Sequence, residues 1–307
     1  MHSSATNEPQ ARETEAASIR MVAVVGTGTQ GSQIAFRCAI SGYPVSLFDA
    51  LPAARDGALQ KIHRWLKRHV EEAKLTAEQA TAAQARITVG TTLAESVANA
   101  DLVIEAVAEK LNVKQEVWQQ ADAFAPAQAL LTTNSSSIRS SLLAVGVQRK
   151  DRTFNVNFDF PVEDDLMEMM WNAETSEETK SSARAFAISL GMIVLETRRE
   201  IQGFSFNRIW RAIKKECLHL FGEGYCDFAE LDRHFALTLR TQYGPFALMD
   251  KIGLDVVRDI ELSYFNETKD PSDKPPQALL DMIAQGHLGV KTGKGFYDYP
   301  HLNHEGD

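Results

Sequence analysis

Residues 21–49 read MVAVVGTGTQGSQIAFRCAISGYPVSLFD, and this order of residue types predicts a strand, a glycine-rich turn, a helix and a second strand. The apolar run from Met21 to Val25 is typical of a strand buried on both faces of a parallel sheet. A helical segment follows from Ser32 to Ser41 and ends at Gly42, and a second apolar run extends from Val45 to Phe48. Such a βαβ unit predicts an α/β fold built on a parallel sheet.

Three glycines between the first strand and the helix form the pattern GxGxxG, at Gly26, Gly28 and Gly31. Gly26 permits the tight turn, Gly28 lets the backbone approach a diphosphate, and Gly31 lets helix and strand pack closely. The diphosphate would then meet backbone amides at the positive end of the helix. The predicted cofactor contacts of this loop are Gly26, Gly28, Thr29, Gln30 and Gly31. A glycine-rich turn without a ligand is the structural alternative, because glycines gather in many turns.

An acidic residue, Asp49, ends the second strand 18 residues after Gly31. At this position a carboxylate accepts hydrogen bonds from the adenosine ribose hydroxyls and repels a 2′-phosphate, so NAD is predicted in preference to NADP. Arg55 could instead serve a 2′-phosphate, although it falls inside the next helical segment. Together with the glycine loop, Asp49 predicts a Rossmann-type, doubly wound NAD-binding domain.

The whole chain is predicted to fall into three parts. Residues 1–18 are polar and are predicted to form a disordered tail. Residues 19–199 alternate apolar runs with helical segments and are predicted to form the NAD-binding domain. Residues 200–307 contain long helical stretches without strand alternation between them, which predicts an all-helical C-terminal domain.

The composition is that of a globular protein, since 44% of the 307 residues are apolar and 24% are charged. A net charge of −9 argues against a protein that follows a nucleic-acid backbone, because such proteins need Lys and Arg to displace counterions. Cys38, Cys217 and Cys226 have neither metal-type nor disulfide-type spacing, so no metal site and reduced thiols in the cytoplasm are predicted. No apolar run approaches the roughly 20 residues of a membrane span, so no membrane partner is predicted.

Six segments resemble the 3-hydroxyacyl-CoA dehydrogenase family, and they occur in the family's order from about Ile19 to Tyr299. They are VAVVGTGTQGSQIA, NADLVIEAVAEKLNVKQEVW, TTNSSSI, QGFSFNRI, YGPFALMDKIGLD and KTGKGFYDY. The resemblance implies an NAD-dependent oxidoreductase that interconverts 3-hydroxyacyl and 3-oxoacyl compounds. It also implies that the helical domain forms a homodimer and that the active cleft lies between the two domains.

The resemblance carries further site residues onto this sequence. Glu109 and Lys114 match the acidic and basic residues that flank the nicotinamide half of NAD, and Ser136 matches the serine that contacts substrate and cofactor. Asn207 matches an asparagine that enters the cleft from the helical domain. Structural alternatives stand beside these roles, because charge is normal in a polar helical segment and Ser135 to Ser137 could cap the next helix.

The loop FNVNFDFPVEDDLMEM, residues 154–169, departs from the family's pattern. The family couples hydride transfer to proton transfer through a His held by a Glu; the histidine falls on Asn157, whereas the glutamate is recovered at Glu168. Asn donates a hydrogen bond but no proton, so Asn157 is predicted to polarise the substrate oxygen as an oxyanion-hole amide does. Strand alternation places Asp159 on the face of Asn157. A carboxyl pair with Glu168 would raise one pKa, which makes Asp159 the candidate proton donor, unless it faces solvent.

Three functions are compatible with this pattern. The first is an NAD-dependent oxidoreductase of the family type, acting on a CoA thioester by default; basic residues after the second strand, Lys61, Arg64, Lys67, Arg68 and Lys74, suit an anionic ligand. The second is a dehydrogenase or reductase of the same fold for a small non-CoA 3-oxo or 3-hydroxy acid. The third is a catalytically inactive NAD-binding homologue.

Overall fold

The computed structural model describes residues 18–158 and 165–299. The chain forms two compact units, of which the first ends at Ser205 and the second begins at Phe206. Within the described ranges, no helix combines the length and the apolarity that crossing a bilayer would need.

The first unit is built on one sheet of eight strands in the order β3-β2-β1-β4-β5-β6-β7-β8. The strands are β1 (Val22–Val25), β2 (Val45–Phe48), β3 (Ile87–Val89), β4 (Leu102–Glu105), β5 (Leu130–Thr133), β6 (Thr153–Phe158), β7 (Leu166–Trp171) and β8 (Ile193–Thr197). Neighbouring strands are parallel except for the β6–β7 pair, which is antiparallel. The chain leaves β1 in one direction to β2 and β3 and in the other to β4 and β5. This reversal opens a crevice at the carboxyl ends of β1 and β4, where doubly wound proteins bind their ligands.

Helices cover both faces of this sheet. They are α1 (Thr29–Ile40), α2 (Pro52–Glu71), α3 (Ala77–Ala85), α4 (Leu93–Val97), α5 (Leu111–Phe124), α6 (Ser140–Leu143) and α7 (Glu177–Ser189). Val22 and Val24 pack into the apolar layer that includes residues of α1, α2 and α7, while Ala23 and Val25 pack into the layer that includes residues of α4 and α5. The continuous apolar run is therefore explained by burial on both faces, as predicted.

The second unit is helical. Its helices are α8 (Phe204–Gly222, which begins in the last residues of the first unit), α9 (Phe228–Leu239), α10 (Pro245–Ile252), α11 (Leu254–Thr268) and α12 (Gln277–Ala284). Phe246 and Phe296 are packed at its centre, with ring centroids 4.7 Å apart. The buried Asp250 carboxylate accepts hydrogen bonds from the backbone N–H groups of Phe296 and Tyr297, both at 2.9 Å, which attaches the C-terminal segment to α10.

The predicted α/β class with a following helical domain is confirmed, but some element boundaries differ. The first helix begins at Thr29 and not at Ser32, because Gly28 at its N-cap lets the chain enter the helix directly from the loop. One of the long helical stretches predicted after residue 200 is GPFALMDKIGLDVVRDIELSYF, residues 244–265, and it forms two helices, α10 and α11. Gly253, whose φ is +100°, separates them, since this left-handed backbone cannot continue a helix.

Candidate functional site

The glycine loop has the geometry that its sequence pattern predicts. A Cβ on Gly31 would lie 1.9 Å from the carbonyl oxygen of Gly26, and a Cβ on Gly26 would lie 2.5 Å from that of Ala106, so neither position tolerates a side chain. Gly26 also has a φ of +103°. A Cβ on Gly28, in contrast, would meet no protein atom within 4 Å. Open space beside Gly28, next to the amides that begin α1, fits a diphosphate.

Asp49 follows β2 and is tied to the same loop. Its Oδ2 accepts hydrogen bonds from the backbone N–H of Thr27 at 2.9 Å and from the Thr27 hydroxyl at 3.1 Å, and its Oδ1 accepts one from Leu51 N–H at 3.0 Å. Arg55, the alternative partner for a 2′-phosphate, donates to the carbonyl oxygen of Gly90 at 2.7 Å. The fixed carboxylate at the end of β2 therefore fits the adenosine ribose of NAD.

A buried charge network lies at the carboxyl end of β4. Lys114 of α5 is 1% exposed, and its Nζ donates to Oε1 of Glu105 at 2.8 Å and lies 3.1 Å from Oε2 of Glu109. Glu105 is equally buried, and its other oxygen accepts a hydrogen bond from the Thr133 hydroxyl at 2.8 Å. Burial raises the pKa of the Glu105 carboxyl, although the Lys114 ammonium acts in the opposite direction.

Glu109 connects this network to the serine turn after β5. Its Oε1 accepts hydrogen bonds from the hydroxyls of both Ser135 and Ser137. Burial acts to raise its pKa, but the Lys114 charge and the two serine hydroxyls outweigh burial, so the pKa of Glu109 is lowered and the group is held ionised. The sequence placed Glu109 and Lys114 near NAD; the structure brings both to the end of β4, beside the glycine loop, whose Gly26 lies against Ala106.

Ser136 occupies the middle of the serine turn. Its carbonyl oxygen accepts a hydrogen bond from Gly203 N–H at 2.9 Å, and its half-buried hydroxyl makes no hydrogen bond to the part of the chain that the structure describes. Ser135 instead accepts a bond from Ile138 N–H at 2.8 Å. None of the three serines caps α6, so the helix-cap alternative does not explain them. The N-cap residue of α6 is Arg139, whose side chain makes no capping hydrogen bond.

Two asparagines that sequence reasoning missed hold the turn in place. Asn134 donates to Oε1 of Gln30 at 3.0 Å and accepts from Phe158 N–H at 3.1 Å, so it joins the glycine loop to the end of β6. Asn155, which is fully buried, accepts from Ser140 N–H at 2.7 Å and donates to the carbonyl oxygen of Ser135 at 3.0 Å. Glu105 was also missed. The signal that could have revealed Glu105 is a charged residue inside an otherwise apolar strand. A charged group that is buried in such a strand requires a partner.

The residues of the altered loop meet across two antiparallel strands. Asn157 of β6 is the direct cross-strand partner of Glu168 of β7, so both side chains are on the same face of the sheet. Glu168 is 3% exposed, and its Oε2 accepts a hydrogen bond from Ser205 N–H at 3.1 Å. Asn157 is half-buried. A hydrogen-bonding amide thus lies beside a buried carboxyl group.

Two predicted site residues lie outside the part of the first unit that the structure describes. Asp159 lies outside the described residues. Asn207 is half-buried in the first turn of α8 and belongs to the second unit. Thr29 and Gln30 are exposed in the first turn of α1, where they line the loop with Gly28.

Comparisons with known proteins agree with this architecture. Residues 21–201 match the NAD binding domain of 3-hydroxyacyl-CoA dehydrogenase, and residues 203–299 match the C-terminal domain of the same enzyme. A probable 3-hydroxybutyryl-CoA dehydrogenase of Bacillus subtilis is 32% identical over 92% of this chain and 98% of the relative. The structure of (S)-3-hydroxybutyryl-CoA dehydrogenase from Ralstonia eutropha is 33% identical, with a TM-score of 0.86 over 92% of this chain and 99% of that one. A diketoreductase structure is 30% identical, with a TM-score of 0.83 over 92% and 99%. The chain belongs to the 3-hydroxyacyl-CoA dehydrogenase family and is an NAD-dependent oxidoreductase.

Proposed function

We propose that the chain interconverts 3-hydroxyacyl-CoA and 3-oxoacyl-CoA with NAD(H), through a proton relay that lacks the family histidine. The observation that carries this proposal is the cross-strand pair of Asn157 and Glu168 in the NAD-binding unit. It supports an arrangement in which an amide binds the substrate oxygen beside a carboxyl group.

The cofactor is held by groups at the carboxyl ends of the parallel strands. NAD, when bound, accepts a hydride from carbon 3 of the hydroxyacyl substrate, and NADH returns it. The glycine loop from Gly26 to Gly31 receives the diphosphate, and Asp49 binds the adenosine ribose. Glu109, which Lys114 and two serine hydroxyls hold in one orientation, positions the nicotinamide half.

Two hydrogen-bond donors polarise the substrate oxygen. The Ser136 hydroxyl and the Asn157 amide are both half-buried, so a bound ligand can reach them. A neutral amide stabilises developing negative charge on an oxygen when its geometry is preorganised. Asn155 provides that preorganisation, because it fixes the serine turn and is two residues from Asn157 on the same strand face. Asn207 contributes a further contact from the helical domain.

The proton comes from a carboxyl group in place of the family histidine. Two carboxyl groups that share a poorly hydrated site do not ionise together easily, so one of them keeps a proton near neutral pH. Asp159 is the proposed donor and Glu168 its buried partner. Asp159→Asn should therefore lower kcat by about 10²- to 10⁴-fold. An unchanged kcat would mean that Asp159 faces solvent.

The CoA moiety is assigned to α2 on the basis of charge. Lys67 and Arg68 lie 3.8 and 3.9 Å from the carboxylates of Glu71 and Glu72. Lys61 and Arg64 make no ion pair with any residue that the structure describes, so both cations are available to phosphate groups. Apolar and polar residues also line a groove of about 640 Å³ between α2 and α3, including Leu66, Val70 and Ala80.

Steady-state NADH oxidation with acetoacetyl-CoA and with free 3-oxo acids tests the proposal. We expect turnover of acetoacetyl-CoA by the wild type, and we expect Asn157→His to recover the kcat that Asp159→Asn loses, because the histidine supplies a titrating group. Glu116→Gln on the exposed face of α5 is the control and should leave kcat unchanged. Tight NADH binding without turnover of any substrate, in either form, would instead indicate an inactive homologue.

A second candidate function is the reduction of a small dicarbonyl or 3-oxo acid that carries no CoA. The similarity to a diketoreductase, which acts on dicarbonyl compounds, favours it. This function requires a kcat/KM for free 3-oxo acids or diketones that exceeds the value for acetoacetyl-CoA. Neutralising Lys61 and Arg64 would then leave kcat/KM unchanged, whereas the CoA function predicts a rise in KM.

The protein is further proposed to be a cytoplasmic homodimer. Large apolar side chains are exposed on α8 and α9 of the second unit, namely Phe206, Ile209, Leu237 and Leu239, at 55 to 75%, as expected of a surface that a partner covers. All three cysteines are free thiols, which suits a reducing compartment. Sedimentation of Leu237→Glu, compared with the wild type, tests the dimer; an unchanged mass would contradict it at this surface.

A further inference from the structure

A row of side chains crosses three strands at the edge of the sheet. Asn157 of β6 pairs with Glu168 of β7, and Glu168 pairs with Leu195 of β8. Paired residues point to the same face, so the three side chains stand side by side. Since neighbouring strands are about 4.8 Å apart, Leu195 lies about 10 Å from Asn157 along this row.

The next row toward the end of the sheet is apolar. Leu166 pairs with Ile193, and both share the face of Glu168 because they are two residues away from it and from Leu195. β7 and β8 run opposite to β6, so their first residues lie beside the end of β6 that carries Asn157. We call Leu166, Ile193 and Leu195 the edge strip.

All three residues of the edge strip are exposed to solvent, and exposure on the same face falls toward the other end of β8. Exposure along β8 falls from 68% at Ile193 to 45% at Leu195 and 7% at Thr197, and Leu166 is 41% exposed. The charged residue of β8, Glu196, points to the other face, where it binds Arg184 at 2.6 Å. An edge strand normally presents charge or is covered, so an apolar strip that residues 18–158 and 165–299 leave exposed indicates a ligand surface.

We propose that the edge strip binds the aliphatic tail of the acyl substrate and makes the enzyme prefer 3-oxoacyl chains longer than four carbons. The acyl tail is the expected occupant because the edge strip adjoins the pair of Asn157 and Glu168. Leu195 is next to Glu168 in the row, with no other side chain between them. A chain whose carbon 3 is held at Asn157 reaches the strip by crossing Glu168. This inference rests on the proposed function and specifies its substrate class.

Chain-length dependence measures the contribution of the strip. Full burial of one methylene is worth about fourfold in kcat/KM, and a strip open on one side is expected to give about twofold. Because the strip begins about 10 Å from Asn157, a tail of about eight carbons beyond carbon 3 is needed to cover it, and the wild type should show a kcat/KM roughly tenfold higher for the twelve-carbon than for the four-carbon 3-oxoacyl-CoA. The measured quantity is this ratio, with NADH as the reductant.

The test variant is Ile193→Thr/Leu195→Thr, which removes apolar surface but keeps residues that favour strands. Its ratio should fall close to one. Ile188→Ser is the matched control, because Ile188 is 71% exposed on α7, which packs against the opposite face of the sheet; its ratio and its four-carbon rate should equal the wild-type values. The single variant Ile193→Thr should give an intermediate ratio. If the double variant does not fold, the single variant still measures the contribution of the strip.

Two outcomes overturn the inference: a flat chain-length profile in the wild type, or a ratio that the double variant leaves unchanged. An unchanged ratio together with a changed sedimentation mass of the double variant would make the edge strip a contact between two copies of the chain. None of these affects the proposed reaction as long as acetoacetyl-CoA is turned over. Failure of the proposed function is distinct, since no chain length would then be reduced.

Discussion

At the scale of single residues, the three glycines of the loop differ in what surrounds them. Only glycine fits at Gly26 and Gly31, because backbone atoms lie less than 3 Å from where a Cβ would be. Gly28, in contrast, borders open space. The same pattern therefore contains two positions where the fold excludes a side chain and one where it leaves open space. The sequence motif predicted all three, but only the atomic surroundings separate their roles.

Matched serine substitutions distinguish these roles. Gly31→Ser should lower the free energy of unfolding by about 1–3 kcal/mol or more, because its Cβ would overlap the Gly26 carbonyl oxygen. Gly28→Ser should leave stability nearly unchanged, since Ser is a good N-cap residue, but should weaken NADH binding because its side chain occupies the open space. Urea denaturation and NADH fluorescence titration measure the two effects. Equal loss of stability in both variants would contradict this assignment.

Glu105 is the residue on which the buried charge network depends. In Glu105→Gln the Lys114 ammonium would keep its bond to the Val107 carbonyl and its contact with Glu109, but would lose its fully buried counter-ion. Breaking a buried ion pair in this way costs about 3–5 kcal/mol.

Urea denaturation of Glu105→Gln should show that loss, with Glu116→Gln, an exposed glutamate on α5, as the control within about 0.5 kcal/mol of the wild type. A second change, Lys114→Met, should recover part of the loss because it removes the uncompensated charge. If Glu105→Gln behaves like the control, the network does not stabilise the unit.

At the scale of elements, α8 carries a buried lysine. Lys214 is 1% exposed, and its side-chain ammonium makes no hydrogen bond or ion pair with any residue in ranges 18–158 and 165–299. Burial lowers the pKa of its ammonium to about 8, although the Glu261 carboxylate acts to raise it and Arg211 acts to lower it further. Glu261 is itself bound by Arg211 at 2.9 Å, so it compensates Lys214 only in part.

The lysine makes stability depend on pH. Its pKa is about 8 in the folded chain against 10.5 for the ordinary group, so between these values the unfolded state binds more protons and stability rises with pH. The rise should total roughly 3 kcal/mol at most. Lys214→Met should abolish it and stabilise the protein at pH 7.

Denaturation between pH 7.5 and 10.5 tests this directly. Lys215→Met, which removes the adjacent, one-third exposed amine, should keep the slope of the wild type. A slope that persists in Lys214→Met would assign the effect to another group.

At the scale of the whole molecule, cofactor binding should couple to unfolding. A ligand that binds only the folded state at 100 times its Kd adds about 2.7 kcal/mol of stability. NADH should approach this value, whereas NADPH at the same concentration should add less, because the Asp49 carboxylate repels a 2′-phosphate.

Thermal denaturation with each cofactor measures the difference, and Asp49→Asn, which keeps the size but not the charge of the side chain, should reduce it. Equal stabilisation of the wild type by NADH and NADPH would contradict the role of Asp49.

Local residue patterns alone determined the class of fold and the identity of the cofactor. Apolar runs, glycines at fixed spacing and Asp49 act through backbone sterics and strand burial, which operate over a few residues, so the βαβ unit and its cofactor could be predicted. The break at Gly253 was missed because apolar periodicity continues across it.

Only the tertiary structure decided which side chains meet. Glu105 joins Lys114 and Thr133, Asn134 joins Gln30 to Phe158, and Asn157 faces Glu168. These contacts link strands and loops up to 104 residues apart in the chain. Strand order and register set them, and a hydrogen bond or a buried charge has no energetic meaning until its partner is in place.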